Sequence, residues 1–382
     1  AVICVSNFFA ASASRITDPV LPQIAADLGV DVHAAALLAT AFALPWVIAQ
    51  PIFGPLGDLI GKTRVIRVNL VILLASTFVG AFATHFTVLF ASRVVAGIAT
   101  AGVMPVGFAL SGDLTPPEKR QVGIGRIVAA SMSGQLLGAV AAGLLGDFVG
   151  WRGVFVGAGC GVAFAAVVVL IGLRKVGEQR AGAANVAAVF TNYRKVFGNP
   201  LAKICFGAVF FEGIAVHGIM PYIAPLLVAT GEARAMIAGA IIAGFAIGGG
   251  AYSLLVPVFI ARLGPRQLMI GGGALAAVGL VTVGFTPPWH VQMLALTALG
   301  FGFYMLHNCI QVKMLELAPG ARGSAVAAHA SSFFMGQALG PVLFGMALPV
   351  IGALATTVTA GALMIAVGVV SARFLYARPS AP

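Results

Sequence analysis

The chain has 382 residues, 60% hydrophobic and only 9% charged, with a formal net charge of +11 and a mean hydropathy of +1.04. A soluble domain carries roughly 25% charged residues because its surface must face water, so this composition excludes a soluble protein and indicates an integral membrane one. A spanning helix needs about 20 mostly apolar residues. Twelve such segments are predicted, near 2–26, 34–57, 65–83, 87–111, 123–146, 151–173, 203–228, 235–258, 267–285, 291–315, 324–346 and 352–375. Barrel strands alternate polar and apolar residues with period two; these runs are apolar all round.

The basic residues are placed by topology rather than by a partner. Lys62, Arg64, Arg126, Arg174, Arg194, Lys203, Arg262, Arg266 and Arg322 fall on one set of alternate loops and helix ends. The opposite set holds Arg152 and Arg234 and carries Asp27, Asp31, Asp147 and Glu232. Cationic loops stay cytoplasmic, which predicts both termini inside a bacterial-type inner membrane and no nucleic-acid partner. The first segment does not read as a cleavable signal, because Arg15 and Asp18-Pro19 interrupt its apolar core.

Taken in chain order, the first polar feature is Arg15 with Asp18, one helical turn apart and able to pair at i,i+3. Span two contributes Phe42 and Trp46. Then comes the tight turn Gly54-Pro-Leu-Gly57-Asp58-Leu-Ile-Gly61-Lys62-Thr-Arg64, where small residues let two helix ends approach closely. This turn resembles the loop signature between the second and third helices of the major facilitator superfamily of transporters. The resemblance implies an all-α integral membrane fold of twelve transmembrane helices in two pseudo-symmetric six-helix bundles. It also implies that Gly54, Gly57, Asp58, Gly61, Lys62 and Arg64 form a conformational latch. Asp58 would then face the N-terminal end of span eleven near Gly323-Ser324, since a helix N-terminus favours an anion by about 0.3–1 kcal/mol. The second-half copy, Pro257 to Gly264, has Ala261 in place of the acid, so the latch is asymmetric.

Span four carries Arg93-Val-Val-Ala-Gly97, similar to the family's fourth-helix motif, whose Arg is implicated in proton coupling. At 1.5 Å rise per residue, Arg93 lies roughly 9 Å and Asp18 roughly 12 Å from the same membrane face, which predicts an Asp18–Arg93 pair. The run Asp18-Pro-Val-Leu-Pro22 to Gly29 resembles the first-helix signature of drug:proton antiporters. Burial raises a carboxyl pKa while a neighbouring Arg lowers it. Asp18 is therefore read as a proton carrier, with a structural ion pair to Arg15 and a substrate contact as the alternatives. Span five has Gln135 and the glycines Gly134, Gly138 and Gly143, similar to the antiporter fifth-helix motif; Ala139 stands where the motif has proline. The second-half copy has Gly336 and Gly340-Pro341. Plain helix packing is the equal alternative for these glycines.

The polar stretch 174–202 divides the chain into bundles 1–173 and 203–382. Sliding the sequence by about 202 residues aligns Gly134-Gln-Leu-Leu-Gly138 with Gly336-Gln-Ala-Leu-Gly340, and Phe8-Phe9 with Phe210-Phe211, an internal repeat. In span seven Glu212 lies about 13 Å deep, near the middle of a roughly 30 Å hydrocarbon core, where an acid is functional by default. With Asp18 and Arg93 it completes the predicted proton-coupling set. Arg15, Phe42, Trp46, Gln135, Phe211, His217, Tyr222, Tyr304, His307, Asn308 and Gln337 are the candidate substrate contacts, an aromatic lining with few polar anchors. Glu316 is read as a helix-end residue, with Lys313 snorkelling nearby.

There is no His pair at i,i+4, no Cys-x-x-Cys and no Gly-x-x-x-x-Gly-Lys. An enzyme, a metal site, a cofactor and an ATP-driven pump are therefore not expected. The expected function is secondary active transport by alternating access, as proton-coupled efflux of small amphipathic organic molecules by a monomer whose partners are its solute, protons and the lipid bilayer. The alternative is a carrier of an anionic metabolite with Arg15 and Arg93 as the clamp.

Overall fold

The computed structural model describes residues 1–116, 120–174, 194–317 and 322–376, and every regular element among them is helical. The chain clusters into two compact units. One is Ala1–Ala184 with Glu232–Gly239, and the other is Asn185–Gly231 with Ala240–Pro382. Of the predicted connection 174–202, residues 175–193 lie outside the described residues.

In the first unit, α1 (Val2–Ser12) and α2 (Leu21–Leu28) flank an irregular turn over 13–20. They are followed by α3 (Val32–Ile60), α4 (Lys62–Ala81), α5 (Phe86–Ala101), α6 (Met104–Leu114) and α7 (Arg120–Gly172). The second unit holds α8 (Pro200–Gly218), a 3-10 turn at Met220–Tyr222, α9 (Ile223–Ala229), α10 (Ala235–Gly284, its first turn grouping with the first unit), α11 (Trp289–Leu317) and α12 (Arg322–Leu375).

Eight helical stretches are long and apolar enough to cross a membrane, and three of them have 47, 50 and 49 residues. Each of those three is twice a membrane's requirement and is broken at one glycine: Gly150 (φ 64), Gly264 (φ 70) and Gly352 (φ 77). Counting each as two, and adding the α1–α2 segment, gives the twelve spans. Loops of several residues were predicted at these junctions, near 147–150, 259–266 and 347–351. The structure turns the chain with a single residue instead, because glycine enters the left-handed region without a Cβ penalty. Spans one, four and seven also differ from one uninterrupted helix, being broken near Pro19, Pro105 and Pro221, where proline removes a backbone donor.

The internal repeat is written into the backbone. Among the described residues, the six glycines with positive φ fall into three pairs, Gly29 with Gly231, Gly61 with Gly264, and Gly150 with Gly352. Their separations are 202, 203 and 202 residues. Packing repeats in the same register. In the first unit α1 lies on α7, where a Cβ at Gly134 would overlap the Phe8 carbonyl and one at Gly138 would meet Ser12. In the second, α8 lies on α12, with Gly336 against the Phe210 carbonyl and Gly340 against Ile214 and Gly218. Glycine lets these backbones come into contact, which is how helices associate where no hydrophobic difference separates neighbour from lipid. Gly143 approaches Gly239 within the first unit. Large apolar side chains such as Phe148 (80% exposed) and Leu254 (83%) point outward, as expected of a surface solvated by lipid rather than water.

Candidate functional site: two buried polar clusters

The first cluster forms where the first span is interrupted. The turn over 13–20 leaves carbonyls at the end of α1 without helical partners, and Arg93 on α5 supplies them. Its Nη1 donates to the Ala13 carbonyl at 2.7 Å and its Nη2 to the Ser14 carbonyl at 2.9 Å. The guanidinium lies 4.4 Å from the centre of the Phe42 ring, a cation–π contact worth about 2 kcal/mol when desolvated. Asp18 is 1% exposed and pairs with Arg15, Nη1 to Oδ2 at 3.2 Å. The expected Asp18–Arg93 pair is thus corrected: the two terminal nitrogens of Arg93 go to backbone carbonyls, its Nε has no hydrogen-bond partner among the described residues, and Arg15, the alternative partner, takes the acid. Depth alone, which motivated that pair, carries no information about which carbonyls a broken helix leaves free. The Nη2 of Arg15 is buried with no hydrogen-bond partner among the described residues. Phe42 and Trp46 are fully buried and meet edge to face, while Gln135 is half-buried.

The second cluster lies in the second unit between α8, α11 and α12. Glu212 is 0% exposed and its Oε2 sits 2.8 Å from Nδ1 of His307; its Oε1 has no hydrogen-bond partner among the described residues. His307 stacks on Phe303 at 4.9 Å and tilts against Phe333 at 5.2 Å. His217 meets Phe333 edge-on at 5.2 Å and lies 6.2 Å from Phe245 and Phe303. The sequence placed Glu212 with the proton-coupling residues and His307 with the substrate contacts; the structure makes them one hydrogen-bonded pair. Sequence reasoning missed His329, which is 4% exposed and 5.3 Å from His307 ring to ring. The signal was present as a stripe on one helix face, His329, Phe333 and Gln337 at i, i+4 and i+8. Gln337 is buried, Tyr304 and Asn308 are half-buried and Phe211 is 43% exposed. Tyr222 is buried and donates its hydroxyl to the Pro341 carbonyl at 2.8 Å, a bond that ties its position to the α12 backbone.

At the glycine-rich turn, Lys62 is the hub. Its Nζ is 3.1 Å from Asp58 and 2.6 Å from Asp113. Gly57 packs on Val106, and Gly61 adopts φ 98 to join α3 to α4; Arg64 points outward. Gly323-Ser324, the partner implied for Asp58, lies outside the residues whose side chains are described. Glu316 sits in the last turn of α11, half exposed and 3.0 Å from Lys313, as the sequence predicts.

Three acids away from that turn are held by fixed partners. Asp27 accepts from Arg152 and from Trp151 Nε1 at 3.1 Å, and Arg152 also donates to the Ala83 carbonyl at 3.0 Å. The Arg152 hydrogen bond, ahead of all else, holds the Asp27 carboxyl below the usual range. Hydrogen bonds from the Arg234 side chain and backbone lower Glu232 to about 2. Asp147 accepts from the backbone N–H groups of Ala235 at 2.7 Å and Met236 at 2.8 Å, capping the first turn of α10 inside the first unit.

A buried acid paired with a histidine, a broken first span and a duplicated helical unit suit a carrier, and comparison with known proteins agrees. The family model described as Major Facilitator Superfamily matches residues 3–325 and, in a second match, 205–382. The chain is 27% identical over 371 residues to a protein of Bacillus subtilis (strain 168) named as the uncharacterized MFS-type transporter YfhI; the match covers 94% of this chain and 88% of that one. The quinolone resistance protein NorA of Staphylococcus aureus (strain Mu50 / ATCC 700699) is 35% identical over 129 residues, about a third of either chain (34% and 33%). Among solved structures, a D-xylose–proton symporter superposes with a TM-score of 0.75 over 98% of this chain and 96% of that one, at 15% identity; that likeness speaks to the fold. The chain is a multi-pass membrane transporter, not an enzyme, and belongs to the major facilitator superfamily.

Proposed function

We propose that the chain is a proton-coupled exporter of small amphipathic organic molecules, working by alternating access in an inner membrane with both termini cytoplasmic. The carrying observation is Glu212. An acid with no exposure and, among the described residues, no Lys or Arg at bonding distance and a histidine as its hydrogen-bond partner is stable in a membrane chiefly as a neutral, protonated group. Ionising it requires water or a cation to arrive, and a cycle that opens and closes the site supplies that alternation. The aromatic surround of Phe303, Phe333, Phe245 and His217 offers an apolar wall to an organic solute. Partial identity to a quinolone resistance protein supports export. In this reading Asp18, Arg15 and Arg93 hold the interrupted first span, and Glu212 carries the proton.

The test is ethidium efflux from bacteria expressing the chain. Efflux should collapse with a protonophore and on Glu212→Gln, and Asp18→Asn at matched protein level should retain more of it. Undiminished efflux in Glu212→Gln would overturn the reading. The anion-carrier alternative rests on the unpartnered Nη2 of Arg15, in a buried cluster of two guanidiniums and one carboxylate. With Arg93 committed to backbone carbonyls, a clamp would fall to Arg15 alone. Thermal stabilisation by a dicarboxylate that is lost in Arg15→Gln and kept in Glu212→Gln would favour that alternative.

A further inference from the structure

The polar cluster of the second unit continues past the Glu212–His307 pair. His329 on α12 is buried, and neither of its ring nitrogens has a hydrogen-bond partner among the described residues. A buried imidazole without partners costs free energy, and the ring that His329 meets is that of His307. Its placement is directional. α8 begins at Pro200 and α11 ends at Leu317, and Asn199 Nδ2 donates to the Leu317 carbonyl at 3.4 Å, so these two helix ends share one face of the unit. α12 starts five residues after Leu317, at Arg322, on that same side. Counting from those ends at 1.5 Å per residue, Glu212, His307 and His329 lie roughly 18, 15 and 10 Å from the face. The three groups descend toward it in order.

We infer that His329 is the second station of a proton path joining the Glu212–His307 pair to the face where α8 starts and α11 ends. This rests on the proton-coupled reading above. The carboxylic proton on Oε2 of Glu212 passes to Nδ1 of His307, leaving a carboxylate and an imidazolium. The imidazolium then gives its Nε2 proton to a ring nitrogen of His329 through one bridging water or after a ring rotation, the two ring centres being 5.3 Å apart without a direct hydrogen bond. His329 releases the proton to water at the face, and exchange through water restores the His307 tautomer. Only O–H and N–H bonds form and break, and one proton moves.

Other titratable groups around the path do not replace His329. On α8 these are Cys205, nearer the face, and His217, deeper among Phe245, Phe303 and Phe333. On α11, Tyr304 lies one turn deeper and Cys309 beside Glu212, while Lys313 is engaged with Glu316 and the Tyr376 ring. Tyr252 on α10 packs on Phe301.

The experiment is time-resolved infrared difference spectroscopy of the full chain in lipid vesicles after a pH jump, following the carboxyl band that Glu212→Gln removes. His329→Phe keeps ring volume and removes both nitrogens, and His329→Gln is the second variant should the first fold poorly. The path predicts that either variant keeps the band's equilibrium amplitude and slows its change by about tenfold or more. Unchanged rates in both variants overturn the His329 path and leave the Glu212 reading standing. Absence of any Glu212-dependent band in the wild type overturns the Glu212 reading itself, and the path with it.

Discussion

Arg93 shows what a buried cation can do for a membrane helix. The first span stops at Ser12 and resumes at Leu21, and the guanidinium bonds the Ala13 and Ser14 carbonyls that this break releases. Leaving two buried acceptors unpaired costs about 1–3 kcal/mol each. Arg93→Ala should therefore lower stability by about 2–6 kcal/mol, with Arg93→Lys recovering part of it; thermal unfolding in detergent reads the difference, and a loss under about 0.5 kcal/mol would contradict the assignment. Asp27 gives a pH signature. Its carboxyl is held below the usual aspartate range by the Arg152 hydrogen bond, so the pair stabilises the folded chain above the unfolded-state pKa and the contribution fades as pH falls through the lowered one. Melting curves between about pH 5 and pH 3 should show Asp27→Asn losing less stability on acidification than the wild type does. At this scale Glu212 was legible in the sequence, because depth within an apolar span singles it out. Its partner was not, since hydropathy says nothing about which helices face each other; of the two partners the sequence offered Asp18, the i,i+3 neighbour Arg15 is the one at bonding distance, and the cross-helix Arg93 is not.

At the scale of elements, the two close helix pairs repeat one device. Gly134 meets the Phe8 carbonyl in the first unit and Gly336 meets the Phe210 carbonyl in the second. A methyl group at either position must push two backbones apart, and overpacking of this kind costs typically 1–3 kcal/mol. Gly134→Ala and Gly336→Ala should each destabilise by about that much, whereas Gly157, which has open space around it, should accept alanine with little change. Similar melting temperatures for all three variants would show that the repeated contact does not limit packing. The glycine ladder and its 202-residue echo were readable from the sequence, as were the twelve apolar stretches. The one-residue turns at Gly150, Gly264 and Gly352 were not, because a lone glycine in an apolar run reads equally as packing residue or as chain reversal. Prolines marked the interruptions of the first, fourth and seventh spans, yet composition alone left each as one continuous helix.

Across the whole molecule, the two buried clusters differ in sign. The first unit buries two guanidiniums with one carboxylate, and the second buries one carboxylate with histidines. A fixed positive set suits holding a broken helix, while a lone acid beside neutral-capable imidazoles suits taking up and giving back a proton. The central claim is that solute movement and proton movement share Glu212. It is tested most directly in vesicles loaded with a pH-sensitive dye and held at equal pH on both sides, by imposing an ethidium gradient and watching for proton flow. The wild-type chain should move protons opposite to the dye. Glu212→Gln should let the dye exchange without moving protons. Proton flow that persists in Glu212→Gln, or dye transport in the wild type with no proton flow at all, would contradict the account.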